Sequence, residues 1–300
     1  MTRDDVTFPS GGVRCAAWSY RADRPGKGPL VIMGHGLGAT RELGLDAYAT
    51  RFVRAGFHVL AFDYRHYGAS EGQPRELLSV GRQLDDWRAA IAFARTLPHV
   101  DASRIALWGS SFGGGHVLRI ASERPGIAAA ISQVPFSSGL ASARRIPFST
   151  SVRAAGAALL DWTLALLGRG PNYVGLLGRP GEVALMTAPG CYEGYRSLVP
   201  PDVEASGRWV NRVSARAALA VSFYMPARHV ERIDVPVFLA VAQADSIAPA
   251  APTLRMARRI PEADVQVLPA GHFDYYMGAG FEEVVAKEIA FLERHLTTHS

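Results

Sequence analysis

An α/β fold, with a mostly parallel central sheet flanked by helices, is what the 300-residue sequence predicts, and three observations carry the prediction. Near-continuous apolar runs of strand length recur at 30–33, 57–62, 105–108, 128–134, 235–241 and 265–268, as expected of strands buried on both faces. Segments with helical apolar spacing lie between them; in 79–96, Leu84, Trp87, Ile91 and Ala94 share one face. Several of the runs end in glycines or in a polar residue, at Gly34–Gly38, Asp63, Gly109–Ser111, Asp245 and Gly271–His272. Strand–helix alternation of this kind favours parallel neighbours joined by helical crossovers.

The elements follow in chain order. Residues 6–20 alternate around Pro9-Ser10-Gly11-Gly12 and read as a hairpin. The run 30–33 is the first buried strand, and a helix through Tyr48, Phe52 and Val53 closes at Gly56 before the second, 57–62. Residues 105–108 form the strand that precedes Gly109, and 128–134 gives another. From 135 to 233 the rhythm breaks into helical apolar pattern (154–167, 215–224) with many Gly and Pro and no clear buried strand. The expectation is a helical lid inserted into a core made of 1–134 and 234–300. Its helix at 154–167, with Leu159, Leu160, Trp162, Leu164, Leu166 and Leu167, is expected to pack on the core or to line an acyl pocket. The alternation resumes with strands at 235–241 and 265–268, a helix near 251–259, and a closing helix at 281–296 that presents Phe281, Val284, Val285, Ile289, Leu292 and Leu296.

Composition narrows the function. At 48% hydrophobic and 20% charged residues the chain has ample material for a core and is not mostly disordered. The formal charge of +5 is scattered, with no basic run interleaved by aromatics, so no nucleic-acid partner is expected. The stretch 154–168 is shorter than a membrane span and contains Asp161, and the first residues lead into strand-like sequence without an apolar leader. Cys15 and Cys191 have no metal spacing and read as free buried thiols. Together these predict a cytoplasmic protein with no membrane partner, no cofactor and no metal; a homodimer is compatible with the composition.

The pattern Gly109-Ser110-Ser111-Phe112-Gly113 stands between an apolar strand and the start of a helix. A serine on so sharp a turn needs neighbours without bulk, because the chain passes close on either side. Centred on Ser110 the pattern fails, since its flanks would be Trp108 and Phe112. A serine hydroxyl is a weak nucleophile and needs a base, a group to orient that base, and donors for the oxyanion that forms. In an open parallel sheet such groups gather beyond the C-terminal strand ends. Asp245 and His272 occupy two of those ends, and small residues around Leu37 free its backbone N–H for an oxyanion. The second donor is the N–H of Phe112. The predicted catalytic set is therefore Ser111, Asp245 and His272, with Leu37 and Phe112 as oxyanion donors. Asp63 is the lesser candidate for the orienting acid, Asp274 reads as solvated or capping, and His35 as shaping its loop. His58, His66, His99, His116, His229, His295 and His299 have no spacing that suggests a metal and read as core or surface residues.

These residues resemble the α/β-hydrolase superfamily over nearly the whole chain: His35–Gly38 as H-G-x-G, Phe62–Arg65 as F-D-Y-R, Gly109–Gly113 as G-x-S-x-G, Asp245 after its strand, and Gly271–Phe273 as G-H-F. Within it the chain looks most like bacterial hydrolases near the dienelactone-hydrolase and X-prolyl-peptidase branches, and like polyketide-releasing acyltransferases and thioesterases. Dienelactone hydrolases use a cysteine where this chain has Ser111, and haloalkane dehalogenases need an aspartate there. The resemblance implies a serine hydrolase cleaving a small-molecule carboxylic ester or thioester. The alternatives are an acyltransferase or polyketide-releasing thioesterase using the same residues, and a ligand-binding homologue without catalysis.

Overall fold

The computed structural model of the chain describes residues 2–144 and 148–297. β1 (Thr2–Ser10) and β2 (Val13–Arg21) form the hairpin, turning at Gly11 and Gly12. Then come β3 (Gly28–Gly34), α1 (Leu45–Arg54), β4 (His58–Phe62), α2 (Val80–Ala94), β5 (Val100–Ser110), α3 (Phe112–Ala121) and β6 (Ala129–Gln133). Residues 135–233 hold α4 (Gly139–Ala143), α5 (Phe148–Leu166), β7 (Tyr173–Leu177), β8 (Ala184–Met186), α6 (Cys191–Arg196), α7 (Pro201–Ala205), β9 (Val213–Ser214) and α8 (Ala217–Phe223). The chain closes with β10 (Val237–Ala242), α9 (Ala250–Ala257), β11 (Ala263–Leu268) and α10 (Gly278–Leu296).

Eight strands form one sheet in the order β1-β2-β4-β3-β5-β6-β10-β11. β2 runs antiparallel to β1 and β4, and every other pair is parallel. The apolar runs are continuous because the two faces of each strand meet two different layers. Leu30, Ile32, Ile105, Leu107, Val237 and Leu239 pack with Trp87 and Ile91 of α2 and Val117 and Leu118 of α3. Val31, Met33, Ala106, Trp108, Phe238 and Ala240 pack with Tyr48 and Phe52 of α1 and Val284 and Leu292 of α10. Alternate residues therefore point to opposite cores.

Three expectations change. β5 is longer than 105–108, because Val100–Ser103 extend it toward β3, where Val100 pairs with Gly28 across a register shift. The insertion is not helical throughout: β7, β8 and β9 make a separate three-stranded sheet. And α5 neither buries its large apolar side chains nor turns them inward. Phe148, Val152, Leu159, Leu160, Trp162, Leu166 and Leu167 are exposed, while its small residues Ala154 and Ala155 border the cavity described below. Only Thr150, Ala158 and Asp161 of this helix are buried. Cys15 and Cys191 are free and buried, as expected. No helix among the described residues is long and apolar enough to cross a membrane.

Candidate active site

Ser111 lies between the end of β5 and the start of α3 with φ 56° and ψ −116°, a backbone conformation that is strained for any residue with a Cβ. Its surroundings hold it there. Ser111 N donates to Gln133 O at 2.8 Å, and Ser111 O accepts from Gly115 N at 3.1 Å and Phe136 N at 2.9 Å. The flanking glycines answer a steric need: a Cβ on Gly109 would lie 2.3 Å from Gly113 O, and one on Gly113 would lie 2.6 Å from Gly34 O and His35 O. Ser110, set aside from the sequence, is buried, and its Oγ lies 2.5 Å from the Tyr276 hydroxyl and accepts from Gln133 Nε2 at 3.0 Å.

His272, four residues after β11, places Nε2 3.0 Å from Ser111 Oγ. Its Nδ1 lies 2.7 Å from Asp245 Oδ2. The other carboxylate oxygen, Oδ1, accepts from Ile247 N and Ala248 N, both at 2.7 Å. Two amide donors fix the carboxylate plane and leave one oxygen for the imidazole. The Asp245 and His272 side chains are 1% and 4% exposed, so the pair is shielded from water that would weaken it. Residues 134 and 161 positions apart in the chain from Asp245 and His272 respectively to Ser111 thus form one continuous chain of contacts.

Leu37 stands in the loop after β3, and Phe112 is the first residue of α3, where a helix leaves its N–H without an intrahelical acceptor. Both border the same cavity as Ser111. The loop comes close to the serine, since a Cβ on Gly36 would lie 3.3 Å from Ser111 Cβ. The lesser candidates sit elsewhere. Asp63 accepts from Arg41 N at 2.7 Å and Ala69 N at 3.1 Å and ties two loops together. Asp274 accepts from Gly271 N at 2.7 Å and closes the turn before His272. His35 is buried with Nδ1 3.0 Å from Gly36 O, and burial pushes its pKa down. His116 is also buried between the Tyr224 hydroxyl and Gln83 Oε1, at 2.8 and 2.9 Å, with its pKa pushed down to about 3 by desolvation.

Ser111 opens onto a cavity of about 720 Å³ between the sheet ends and the insertion. Phe112, Phe136, Leu185, Met186, Leu219 and Ile247 are among its walls, and none of the described residues lining it carries a charge. On the other side of Ser111 a space of about 30 Å³, bordered by His35, Ser110, His272 and Tyr276, has room for a water molecule. Among the described residues no group of three or more His, Cys, Asp or Glu side chains could hold a metal ion. Sequence reasoning missed Tyr276, Tyr195 and Trp209, which touch the loops of the site from elements with no strand-end position; only the proximity of Tyr276 to His272 in the chain could have flagged one of them.

A mostly parallel sheet with a serine on the strand-to-helix turn after its fifth strand is the architecture of the α/β hydrolases. Comparison with known proteins agrees: the chain belongs to the α/β-hydrolase superfamily, and the family model described as serine aminopeptidase, S33, matches residues 21–166. The chain is 44% identical over 290 residues to the quorum-quenching protein AidA of Acinetobacter baumannii (strain MDR-ZJ06), covering 97% of this chain and 94% of that one. It is 29% identical to the polyketide transferase af380 of Aspergillus fumigatus over 99% of both chains. In fold it is similar to the α/β hydrolase GrgF from Penicillium sp. sh18, with a TM-score of 0.82 at 24% identity over 99% of both chains.

Proposed function

We propose that the chain is a serine hydrolase that cleaves a carboxylic ester or thioester through an acyl-enzyme on Ser111. The observation that carries this reading is the unbroken contact from Asp245 through His272 to Ser111 Oγ, at 2.7 and 3.0 Å, at the wall of a cavity whose described lining residues carry no charge. Ser111 Oγ attacks the acyl carbonyl while His272 Nε2 takes its proton. Asp245 holds the imidazole with Nδ1 protonated and stabilises the imidazolium. The tetrahedral oxyanion is met by the N–H groups of Leu37 and Phe112. His272 then returns the proton to the departing alkoxide or thiolate, and a water activated by the same imidazole releases the acid. Residues 135–233 act as the lid over this chemistry, and the free buried thiols fit a cytoplasmic setting.

The relative named for quorum quenching supports a small signalling compound with a hydrolysable acyl bond as substrate. Relatives named as polyketide transferases support a second reading, in which an alcohol or amine rather than water resolves the same acyl-enzyme. Ser111→Ala is the test of both. Turnover of a p-nitrophenyl ester should fall by about 10⁴–10⁶, because residues that act as a unit fail together. Near-wild-type turnover overturns the mechanism. With the native serine, a competing alcohol that appears in the product marks transfer, and free acid alone marks hydrolysis.

A further inference from the structure

Three consecutive carbonyls in the loop after β3 are each engaged. Gly36 O accepts from Ala39 N at 3.3 Å and lies 3.0 Å from His35 Nδ1. Leu37 O accepts from the Tyr195 hydroxyl at 3.0 Å. Gly38 O accepts from the Trp209 indole N–H, also at 3.0 Å. The first carbonyl is held locally, but the other two are held from the insertion, by donors 158 and 171 positions along the chain. Tyr195 is in α6 and Trp209 lies between α7 and β9. Their rings stack with centroids 5.8 Å apart, and both are buried. β7 adds Leu176, whose Cδ atoms come within 2.5 Å of where a Cβ on Gly38 would stand. At Gly38 the insertion is packed directly onto the backbone.

A trans peptide unit is planar, with its C=O and N–H on opposite sides. The Leu37 N–H shares a plane with the Gly36 carbonyl, and the next plane is set by the Leu37 carbonyl. Fixing both carbonyls fixes the direction of the N–H between them. An oxyanion donor is effective only when it is aimed before charge develops. We propose that Tyr195 and Trp209 are positioning residues, which hold the Leu37 and Gly38 carbonyls from the insertion and so complete, together with the local contacts of the Gly36 carbonyl, the constraint that aims the Leu37 N–H at the oxyanion. This rests on the acyl-enzyme chemistry proposed for Ser111. It makes the insertion part of the catalytic geometry as well as a wall of the cavity.

Tyr195→Phe removes the hydroxyl and keeps the ring; Trp209→Phe removes the indole donor and keeps an aromatic surface. Each should lower kcat by about tenfold, the scale of one lost hydrogen bond felt in the transition state, with KM within about twofold of wild type. Affinity for a trifluoromethyl ketone, which forms a tetrahedral adduct on the serine, should fall by the same factor as kcat/KM. Because both side chains hold one loop, the double variant should lose less than the product of the single losses. Unchanged kcat and unchanged ketone affinity, with or without a lower Tm, overturn the proposal and leave the two residues as packing only. A rise in KM alone also overturns it and makes them walls of the cavity. Ser111→Ala separates the two levels: if it is inactive while Tyr195→Phe and Trp209→Phe behave as wild type, only the positioning role falls. If Ser111→Ala stays active, the chemistry falls and this role with it.

Discussion

Glu288 is an acid in an apolar core. It sits in α10, fully buried, where Trp108 Nε1–H donates to its Oε2 at 2.9 Å and Oε1 has no partner among the described residues. Burial raises its pKa from 4.5 to about 8, so the folded protein keeps this carboxyl protonated near neutrality. The sign of the linkage follows: between the two values the folded state binds a proton that the unfolded state has released. Its contribution to stability is whole below about pH 4.5 and is lost as pH rises through 8. Glu288→Gln keeps an acceptor for Trp108 and removes the titration. The variant should match wild type in Tm near pH 4.5 and exceed it increasingly toward pH 8, with a slope of at most about 1.4 kcal/mol per pH unit. Equal Tm values across that range would show that the carboxyl titrates normally. The position of Glu288 on the buried face is visible in the spacing of α10. The interior stripe of α10 runs through Val284, Val285, Glu288, Phe291, Leu292 and Leu296, with Phe281 and Ile289 only partly buried. A carboxylate four residues from both Val284 and Leu292 is on the core side, whereas the expected stripe went around it. Ser111, Asp245 and His272 were legible for the opposite reason: each breaks an apolar run at a strand end, where polarity is conspicuous.

At the scale of elements, α5 shows why the insertion resisted reading. Its apolar content was legible, but the face it buries was not, because that face is set by contacts with α8, which begins about fifty residues further along the chain. Asp161 is the anchor. Its Oδ1 accepts from Asn172 N at 2.8 Å and from Arg216 Nη2 at 2.9 Å, and its Oδ2 accepts from Arg216 N at 2.8 Å and Nε at 2.7 Å. The Asp161 side chain is wholly buried, and that of Arg216 is 17% exposed. Asp161→Ala strips the partner from a mostly buried guanidinium and from two amides, and should destabilise the insertion by about 2 kcal/mol or more. Hydrogen exchange in α5 and α8 should quicken while β5 and β6 keep their protection; uniform loss across the molecule would mean that the insertion and sheet unfold together. The strands β7 to β9 are two to five residues long, too short for a periodic signal. The central parallel strands β3, β4, β5 and β10 had no such ambiguity, since each carries a run of apolar residues buried on both faces.

For the whole molecule, the cavity's charge decides between chemistries that share one fold. The matched family is described as a serine aminopeptidase, and a substrate of that kind presents an α-ammonium near the scissile carbonyl. Bringing an ammonium out of water requires a paired carboxylate. The described residues around the 720 Å³ chamber include no aspartate or glutamate, and Asp245 spends both oxygens on His272 and two amides. An apolar chain, in contrast, gains about 0.8 kcal/mol for each methylene it buries, close to a factor of four. For p-nitrophenyl esters of increasing chain length, kcat/KM should therefore climb by up to about fourfold per methylene until the chamber is full, then level off. Aminoacyl p-nitroanilides and acyl esters ending in a carboxylate should be turned over far more slowly than the neutral esters of equal length. A flat chain-length profile, or an aminoacyl substrate preferred over a neutral one, would mean that the acyl group lies outside this chamber, against the loops at the sheet edge instead of beneath the insertion.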